Sequence, residues 1–397
     1  MKRKKQIPRF VCGALAAGLL VQALPSGCIT AYAGTPEFGR SAEEWAKLRD
    51  NKIEYDELAD LVHEYNATVV KNQIDLAWFK NDYGMSNDEW SSRYRELADD
   101  LESSLDYPDV EDSGYATMMT NIVTSEMQIK SWREKADDAE DDYLTYYYDY
   151  SSAEALIAST AQTDMIQYYQ YQLQKQADEL ALELQEENWN QVQSQRQHGS
   201  ATDVDVLTAE ESLRNARKAV QDDENSIDRT RERLVVLLGW KHDDHPEIGE
   251  LPEVTQEMID ALNPDADRET AVENNYTLKI NRRKLEISKS GESREKLQEA
   301  VDENIRSIGA SLSSAYQDVI SARAARDLAA AKAQLANDQF AIAQRQYQVG
   351  SLSRYGWLTQ KNSMESAAIE KQAKELELLQ AVESYHWAVN GLAGSSS

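Results

Sequence analysis

The residue types best suited to chemistry lie together in one short segment, Lys241-His242-Asp243-Asp244-His245. Imidazole nitrogens and carboxylate oxygens at this spacing are the donors that bind transition metals. The segment lies in a predicted exposed linker with no further Cys or His cluster, so we expect no metal site. The sequence also lacks a phosphate-binding loop, a nucleophile elbow, a zinc-protease helix and a dinucleotide-binding turn. It therefore predicts a protein that is not an enzyme and that needs no cofactor.

Residues 1–33 predict a secretory signal peptide. Basic residues precede an apolar run from Phe10 to Leu24, which is followed by Ala31-Tyr32-Ala33. This pattern predicts cleavage before Gly34, with Ala31 and Ala33 as the small residues of the cleavage site. A retained anchor is the alternative, although the run is shorter than the roughly 20 residues that span a bilayer. Cys28 leaves a lipoprotein open. Both cysteines lie in this leader, so we expect no disulfide in the mature chain.

The chain is strongly acidic, with a formal net charge of −28 over 397 residues. A charge of this size and sign repels nucleic acid and anionic lipid surfaces. We therefore expect no nucleic-acid partner, and we attribute most of the charge to solvated helix faces.

Proline and glycine are few and clustered, so long helices are expected between them. The expected helices cover about 41–49, 55–80, 87–105, 114–197, 203–238, 255–262, 268–348 with a mark at Gly291, and 354–389. Leu328, Leu335, Ile342 and Val349 recur every seven residues among many alanines, which predicts coiled-coil packing. Alternation of apolar and polar residues with period two is lacking, so we expect essentially no strands.

Two helix ends carry the same turn sequence, 151 residues apart. Gly199-Ser200 and Gly350-Ser351 both begin a G-S-x-[ST]-x-x-x-x-L-T pattern. Glycine at this place favours a left-handed end to the preceding helix, and the hydroxyls of Thr202 and Ser353 are suited to capping the next one. The repeat predicts two similar antiparallel helical hairpins.

These residues resemble the outer membrane efflux protein family, whose best-known member is TolC. Gly199, Asp205, Val206 and Ala209 fit the family's turn, and Leu237-Leu238-Gly239 fits the end of its first repeat. The resemblance implies a homotrimer in which each chain contributes two helical repeats. In the family, twelve helices curl into a hollow cylinder capped by a small barrel in the outer membrane.

The sequence departs from the family where strands would be inserted. The interval at about 81–113 is acidic, with a helical and loop-like pattern, and the second repeat has only Gly291 and its neighbours at the equivalent place. The expected fold is thus all-α: long antiparallel hairpins in two repeats that form a coiled-coil, TolC-like α-barrel, without the membrane strands.

The resemblance also implies a gate at the paired turns, where an Asp of the first turn bonds a Tyr and an Arg of the second. Asp205 and Tyr347 match the first two positions. Leu352 stands at the Arg position, and Arg354 lies two residues further on. A carboxylate that accepts bonds from a phenol and a guanidinium would form a strong latch.

A simpler role for Asp203 and Asp205 remains open, because carboxylates are favourable in the first turn of any helix. The family's two ring aspartates correspond to Gly356 and Thr359 here. We therefore expect the cation-selective ring to be lost.

The sequence thus predicts a subunit of an efflux or export conduit, a trimeric tunnel working with a periplasmic-adaptor-like protein and an inner-membrane exporter such as an ABC transporter. The alternative is an exported coiled-coil scaffold of the cell envelope without a lumen. By resemblance the protein would be associated with the outer membrane, or, without membrane strands, with the cell-wall side of a single-membrane bacterium. The predicted parts are the signal peptide 1–33, a lead-in 34–54, a first repeat 55–240, a linker 241–265, a second repeat 266–393 and a tail 394–397.

Overall fold

The computed structural model describes residues 35–111, 113–138 and 141–394. The predicted signal peptide, its cleavage residues Ala31, Ala33 and Gly34, and Cys28 lie outside the described residues. The helices in the described part of the chain are α1 (Ala42–Leu48), α2 (Leu58–Tyr65), α3 (Ala67–Asp82), α4 (Asn87–Ser103), α5 (Tyr115–Asp138), α6 (Tyr143–Gln197), α7 (Asp203–Leu237), α8 (Gln256–Asp260), α9 (Pro264–Asn274), α10 (Tyr276–Ile287), α11 (Gly291–Gln348) and α12 (Arg354–Trp387). Short 3₁₀ turns occur at Glu37–Gly39 and Tyr55–Glu57, and a π turn at Ala388–Leu392.

Four long helices lie side by side in the order α7, α6, α12, α11. Helix α6 packs against α7 within the first hairpin and against α12 of the second, while α11 packs against α12. The helices α7 and α11 therefore form the two edges of the layer. The predicted all-α fold of paired helical hairpins is confirmed.

Helix α11 packs on its hairpin partner through a seven-residue repeat of mostly small side chains. The positions are Val301, Ile308, Ala315, Ala322, Ala329, Ala336 and Ala343. Val301, Ile308, Ala329 and Ala343 are buried, and small residues at these positions let α12 approach closely. The stripe predicted from Leu328 to Val349 lies one residue away on the helix and is exposed. The coiled-coil spacing was correct, but the larger residues do not form the seam within the chain.

Three predicted helices are interrupted where a polar side chain caps a new helix. The helix expected at 55–80 breaks at Asn66, whose extended backbone ends α2 and whose side chain accepts from Thr68 N and Val69 N. The long stretch expected at 114–197 forms two helices, α5 and α6. Asp142 is the N-cap of α6, which begins at the next residue. The segment expected from Arg268 onward is already helical from Pro264 and breaks at Asn275. A capping side chain can interrupt a helix without proline or glycine, which explains the wrong predictions.

A single pair of strands occurs in the described residues. Lys52–Ile53 pairs in parallel with Glu247–Ile248, so the lead-in is joined to the linker. Ile53 is fully buried there and belongs to the core of the first repeat, with Leu58, Met165 and Leu234. The second repeat has its own core.

The interval at 81–113, expected to be acidic and helical or loop-like, is part of a helical hairpin formed by α4 and α5. We call this hairpin, residues 87–138, the arm. Aromatic side chains fix its base to the start of α6, where Trp90 stacks on Tyr146 with ring centroids 5.3 Å apart. Phe79 lies 4.9 Å from Tyr146 in the same cluster. No helix among the described residues is both long and apolar enough to cross a membrane.

Candidate functional site

The first hairpin turn is built by Gly199 and the residues on either side of it. Gly199 has a φ of +75°, in the left-handed region that favours glycine. The following Ser200 donates twice to the carbonyl of Gln195, from its N–H at 2.8 Å and from Oγ at 3.0 Å. This bonding satisfies a carbonyl that the end of α6 would otherwise leave unpaired.

The second turn repeats these contacts. Gly350 has a φ of +77°, and Ser351 donates to the carbonyl of Gln346 from its N–H at 2.9 Å and from Oγ at 3.0 Å. Ser353 then caps α12 by accepting from Gly356 N at 3.1 Å. The two turns therefore have the same local structure, as their shared sequence suggests.

Thr202 and Asp205 form a reciprocal capping box at the start of α7. Thr202 Oγ1 accepts from Asp205 N at 3.2 Å, and Asp205 Oδ2 accepts from Thr202 N and Oγ1, both at 2.7 Å. These bonds to Thr202 lower the pKa of Asp205. Across the same turn, Arg196 Nε lies 2.6 Å from Asp203 Oδ1, and this contact lowers the pKa of Asp203. Both sets of contacts therefore favour the ionised form of the carboxylates.

The three predicted gate residues have other partners within the chain. Asp205 belongs to its capping box, Tyr347 stacks on Trp357 with centroids 5.4 Å apart, and Arg354 Nε lies 3.5 Å from Glu187 Oε1. In the described part of the chain no hydrogen bond or ion pair joins any two of the three. A single chain therefore shows the helix-start role of Asp205, and the gate stays a prediction.

Polar contacts between α6 and α12 hold the two turns side by side. Arg354 contacts Glu187 as described, and Lys361 Nζ lies 3.6 Å from Glu183 Oε2. Asn362 also donates from Nδ2 to the carbonyl of Leu180. These contacts join the repeats along the helices that carry the turns, so the two turns form one end of the layer.

Both edges of the layer expose large apolar side chains toward this end. Along α11 the exposed fractions are 59% for Leu328, 57% for Leu335 and 55% for Ile342, and the C-cap residue Val349 is 79% exposed. We call these four residues the α11 stripe. On α7, Val204 and Leu207 are similarly exposed. Exposed apolar surface that recurs at heptad spacing indicates a helical partner.

Sequence reasoning missed a second repeated feature, the joints at Asn66 and Asn275. Each asparagine lies in an E-x-N-x-T pattern, Glu64 to Thr68 in the first repeat and Glu273 to Thr277 in the second. Both asparagines are buried. The shared pattern was a signal that could have located both joints.

The linker residues Lys241 to His245 do not form a metal site with other side chains that the structure describes. His245 Nδ1 lies 2.5 Å from Arg231 Nη1, and Lys241 N donates to Asp244 Oδ2 at 2.9 Å. Among the residues that the structure describes, no group of three or more His, Cys, Asp or Glu side chains could hold a metal ion.

Two similar hairpins joined along α6 and α12 define a two-repeat helical fold that solved structures share. A membrane protein from Pseudomonas aeruginosa matches with a TM-score of 0.56 and 12% identity, over 86% of this chain and 91% of that chain. The outer membrane protein VceC from Vibrio cholerae matches at 0.52 and 10%, over 85% and 96%. The outer-membrane channel OprN matches at 0.51 and 14%, over 88% and 92%.

No protein-family model matches the chain, and no curated protein sequence is significantly similar to it. At these low identities the structural matches establish the fold. The chain therefore has the helical fold of these three proteins, and the resemblance found at the two turns is confirmed at the level of the fold.

Proposed function

We propose that the chain is a subunit of an exported efflux conduit in the cell envelope, in which three copies close a helical tunnel. The observation that carries this proposal is the α11 stripe, together with the exposed apolar residues of α7 on the opposite edge of the layer. A layer with two different unpartnered edges can join head to tail with identical copies. Such an interface closes into a ring when the rotation between copies allows it.

The heptad spacing of the stripe supports helix-to-helix packing at this interface. Within the chain, α11 already uses a seam of small residues to pack on α12. The larger residues of the stripe remain for a second helix, and α7 of a neighbouring copy would supply it. Three copies of the four-helix layer then give the twelve helices that the family resemblance implies.

The proposal extends to partners and to the gate. The paired turns would meet an adaptor, which would link the tunnel to an inner-membrane transporter. In the closed ring, the gate would be formed by Asp205, Tyr347 and Arg354. Each of these side chains would then leave its partner within the chain and bond a residue of a neighbouring turn. Single and double substitutions of Asp205 and Tyr347 test this: coupled effects on turn mobility support the gate, and additive effects contradict it.

The central test is the mass of the particle formed by residues 34–397, measured by light scattering over a concentration series. We expect a trimer, and we expect Leu335→Glu with Ile342→Glu to dissociate it because buried carboxylates would disrupt the seam. Leu156→Glu is the matched control, since Leu156 is 50% exposed on the inner helix α6. The control variant should remain a trimer.

A monomer at all concentrations would contradict the ring. Electron micrographs of the trimer should show an open axis. A solid particle would contradict the conduit and would favour the coiled-coil scaffold.

A further inference from the structure

The arm has no counterpart in the second repeat. In the first repeat, α4 and α5 are inserted between α3 and α6, whereas α10 is followed by α11 after only three residues. We call residues 276–296, at this second junction, the corner. Helix α6 begins beside the arm, where Tyr146 stacks on Trp90, and beside the corner, where Asp142 bonds Arg283. The arm and the corner therefore lie at the same end of α6, opposite the turn at its other end.

The arm exposes an apolar face that no other described residue of the chain covers. Val123 and Met127 lie one turn apart on α5, and their exposed fractions are 47% and 69%. Ile122 and Ile129 of the same helix are buried, and α4 is the helix with which α5 packs. The arm therefore has one apolar face for its own hairpin and a second that is open to solvent.

The outer end of the arm is acidic, and several of its carboxylates have no ion pair with any residue that the structure describes. Arg133 neutralises Asp99 and Glu102 through contacts of 3.2 and 2.6 Å. Asp100, Asp106 and Glu111 are exposed and have no ion pair in the described part of the chain. This end of the arm therefore presents a negative surface.

The corner is basic in a protein with a net charge of −28. Arg283 and Lys284 are paired with Asp142 and Asp141 at 2.6 and 3.2 Å. Arg282 and Lys289 are exposed and have no carboxylate partner among the described residues. Arg294 donates to the carbonyls of Leu285 and Ser288 at 2.8 and 3.1 Å, and it too has no carboxylate partner there.

We propose that the arm of one copy docks on the corner of a neighbouring copy, with its unpaired carboxylates facing Arg282, Lys289 and Arg294. This inference rests on the proposed ring. Each copy offers one arm and one corner, so the contact closes with the same symmetry as the ring. Opposite charges fix the register of the contact, and Val123 with Met127 contributes apolar burial. The contact forms a collar at the end opposite the turns.

Charge exchange between the two surfaces tests the docking. The double substitution Asp100→Lys with Asp106→Lys reverses the charge of the arm. The double substitution Arg282→Glu with Lys289→Glu reverses the charge of the corner. Among the described residues none of these four side chains makes an ion pair, so the variants should fold. We expect either charge reversal alone to raise the half-dissociation concentration of the trimer by about tenfold. We expect the two reversals combined to bring this concentration back to within about threefold of the wild-type value. Glu253→Lys with Glu257→Lys, in the exposed linker, is the control and should change it little.

Zero-length carbodiimide crosslinking gives an independent measurement. A co-refolded mixture of isotopically labelled and unlabelled chains should yield crosslinks between Asp106 and Lys289 that join one labelled and one unlabelled chain. Crosslinks found only within one chain would overturn the docking.

The outcomes also separate this inference from the proposed function. A wild-type chain that stays monomeric overturns both. A stable trimer that neither reversal weakens, or that the combination fails to restore, overturns the docking and leaves the ring in place.

Discussion

Asn66 and Asn275 make equivalent joints in the two repeats, each connecting the start of one helix to the end of another. Asn66 Nδ2 donates to the carbonyl of Leu237, the last residue of α7, at 2.8 Å, and its Oδ1 caps α3. Asn275 Nδ2 donates to the carbonyls of Gly391 and Ala393, just beyond α12, at 3.1 and 2.7 Å, and its Oδ1 accepts from Leu278 N at 2.9 Å. In each repeat one asparagine amide thus connects the helix joint near the start of the repeat to the end of the second helix of its hairpin.

Loss of this joint should cost more than loss of a cap alone. Asn66→Ala removes the cap of α3 and also leaves the carbonyl of Leu237 without its amide partner, so we expect a loss of about 2–3 kcal/mol in the free energy of unfolding. Asn263→Ala is the matched control, because Asn263 caps α9 and is exposed. The control should lose about 1 kcal/mol. Urea unfolding at fixed protein concentration measures both, and equal losses would contradict the joint.

Local features of the sequence predicted the turns well, because glycine and the hydroxyls of Thr202 and Ser353 act within a few residues. The breaks at Asn66, Asp142 and Asn275 were missed because a capping side chain interrupts a helix only if the new direction of the chain is stabilised by packing. That packing comes from residues far away in the sequence. Asp142, for example, is held by Arg283, 141 residues later.

The α11 stripe shows a second limit of sequence reasoning. Its heptad spacing predicted a helical partner, but the spacing alone does not tell which helix the stripe faces. Within the chain, the neighbouring heptad through Ala329 and Ala343 takes the contact with α12. The gate has the same limit, because Asp205 and Tyr347 were matched by position while their actual partners depend on the folded turns.

The ion pair between Asp142 and Arg283 should be among the strongest polar contacts of the fold. Asp142 is fully buried, and its Oδ2 accepts from Arg283 Nε at 2.8 Å and from Nη2 at 2.6 Å. Arg283→Met would leave a buried carboxylate without its counter-charge, so we expect a loss of about 3 kcal/mol in the free energy of unfolding.

An exposed pair provides the comparison for this substitution. Arg306→Met removes the contact with Glu303 on the surface of α11 and should cost less than about 0.5 kcal/mol. Denaturant midpoints of the two variants would give the difference. A loss for Arg283→Met as small as that of the control would show that water reaches Asp142.

Gly350 should be needed for its backbone conformation alone. A Cβ atom at this position would meet nothing within 4 Å, yet the φ of +77° is costly for other residues. Gly350→Ala should therefore lower the free energy of unfolding by about 1 kcal/mol. Gly291→Ala has equally open space at the start of α11 without a left-handed φ, so it should be neutral or slightly stabilising. Thermal melts of both variants measure the difference in stability between them. Equal melting temperatures would show that the turn relaxes to a conformation that alanine adopts without strain.

Stability should depend on pH through Asp223, where α7 packs on α6. Asp223 Oδ2 is buried and has no hydrogen-bond partner among the described residues. Burial, followed by the neighbouring carboxyl of Asp178, raises the pKa of Asp223 to about 6. The folded chain therefore holds this proton more tightly than the unfolded chain, in which an ordinary Asp titrates near 3.8. The contribution to stability is full below about pH 4 and is lost as the pH rises through 6.

Asp223→Asn should remove this dependence. The amide carries no charge, so at pH 7 we expect the variant to be more stable than the wild type by about 1 kcal/mol, a value reduced for partial exposure to solvent. Below pH 4 the two proteins should be nearly equal. Asp228→Asn is the control, since Asp228 is exposed on the same helix and should leave the profile unchanged. Urea unfolding from pH 4 to pH 8 measures the profiles, and parallel curves for Asp223→Asn and the wild type would show that folding leaves the pKa of Asp223 unchanged.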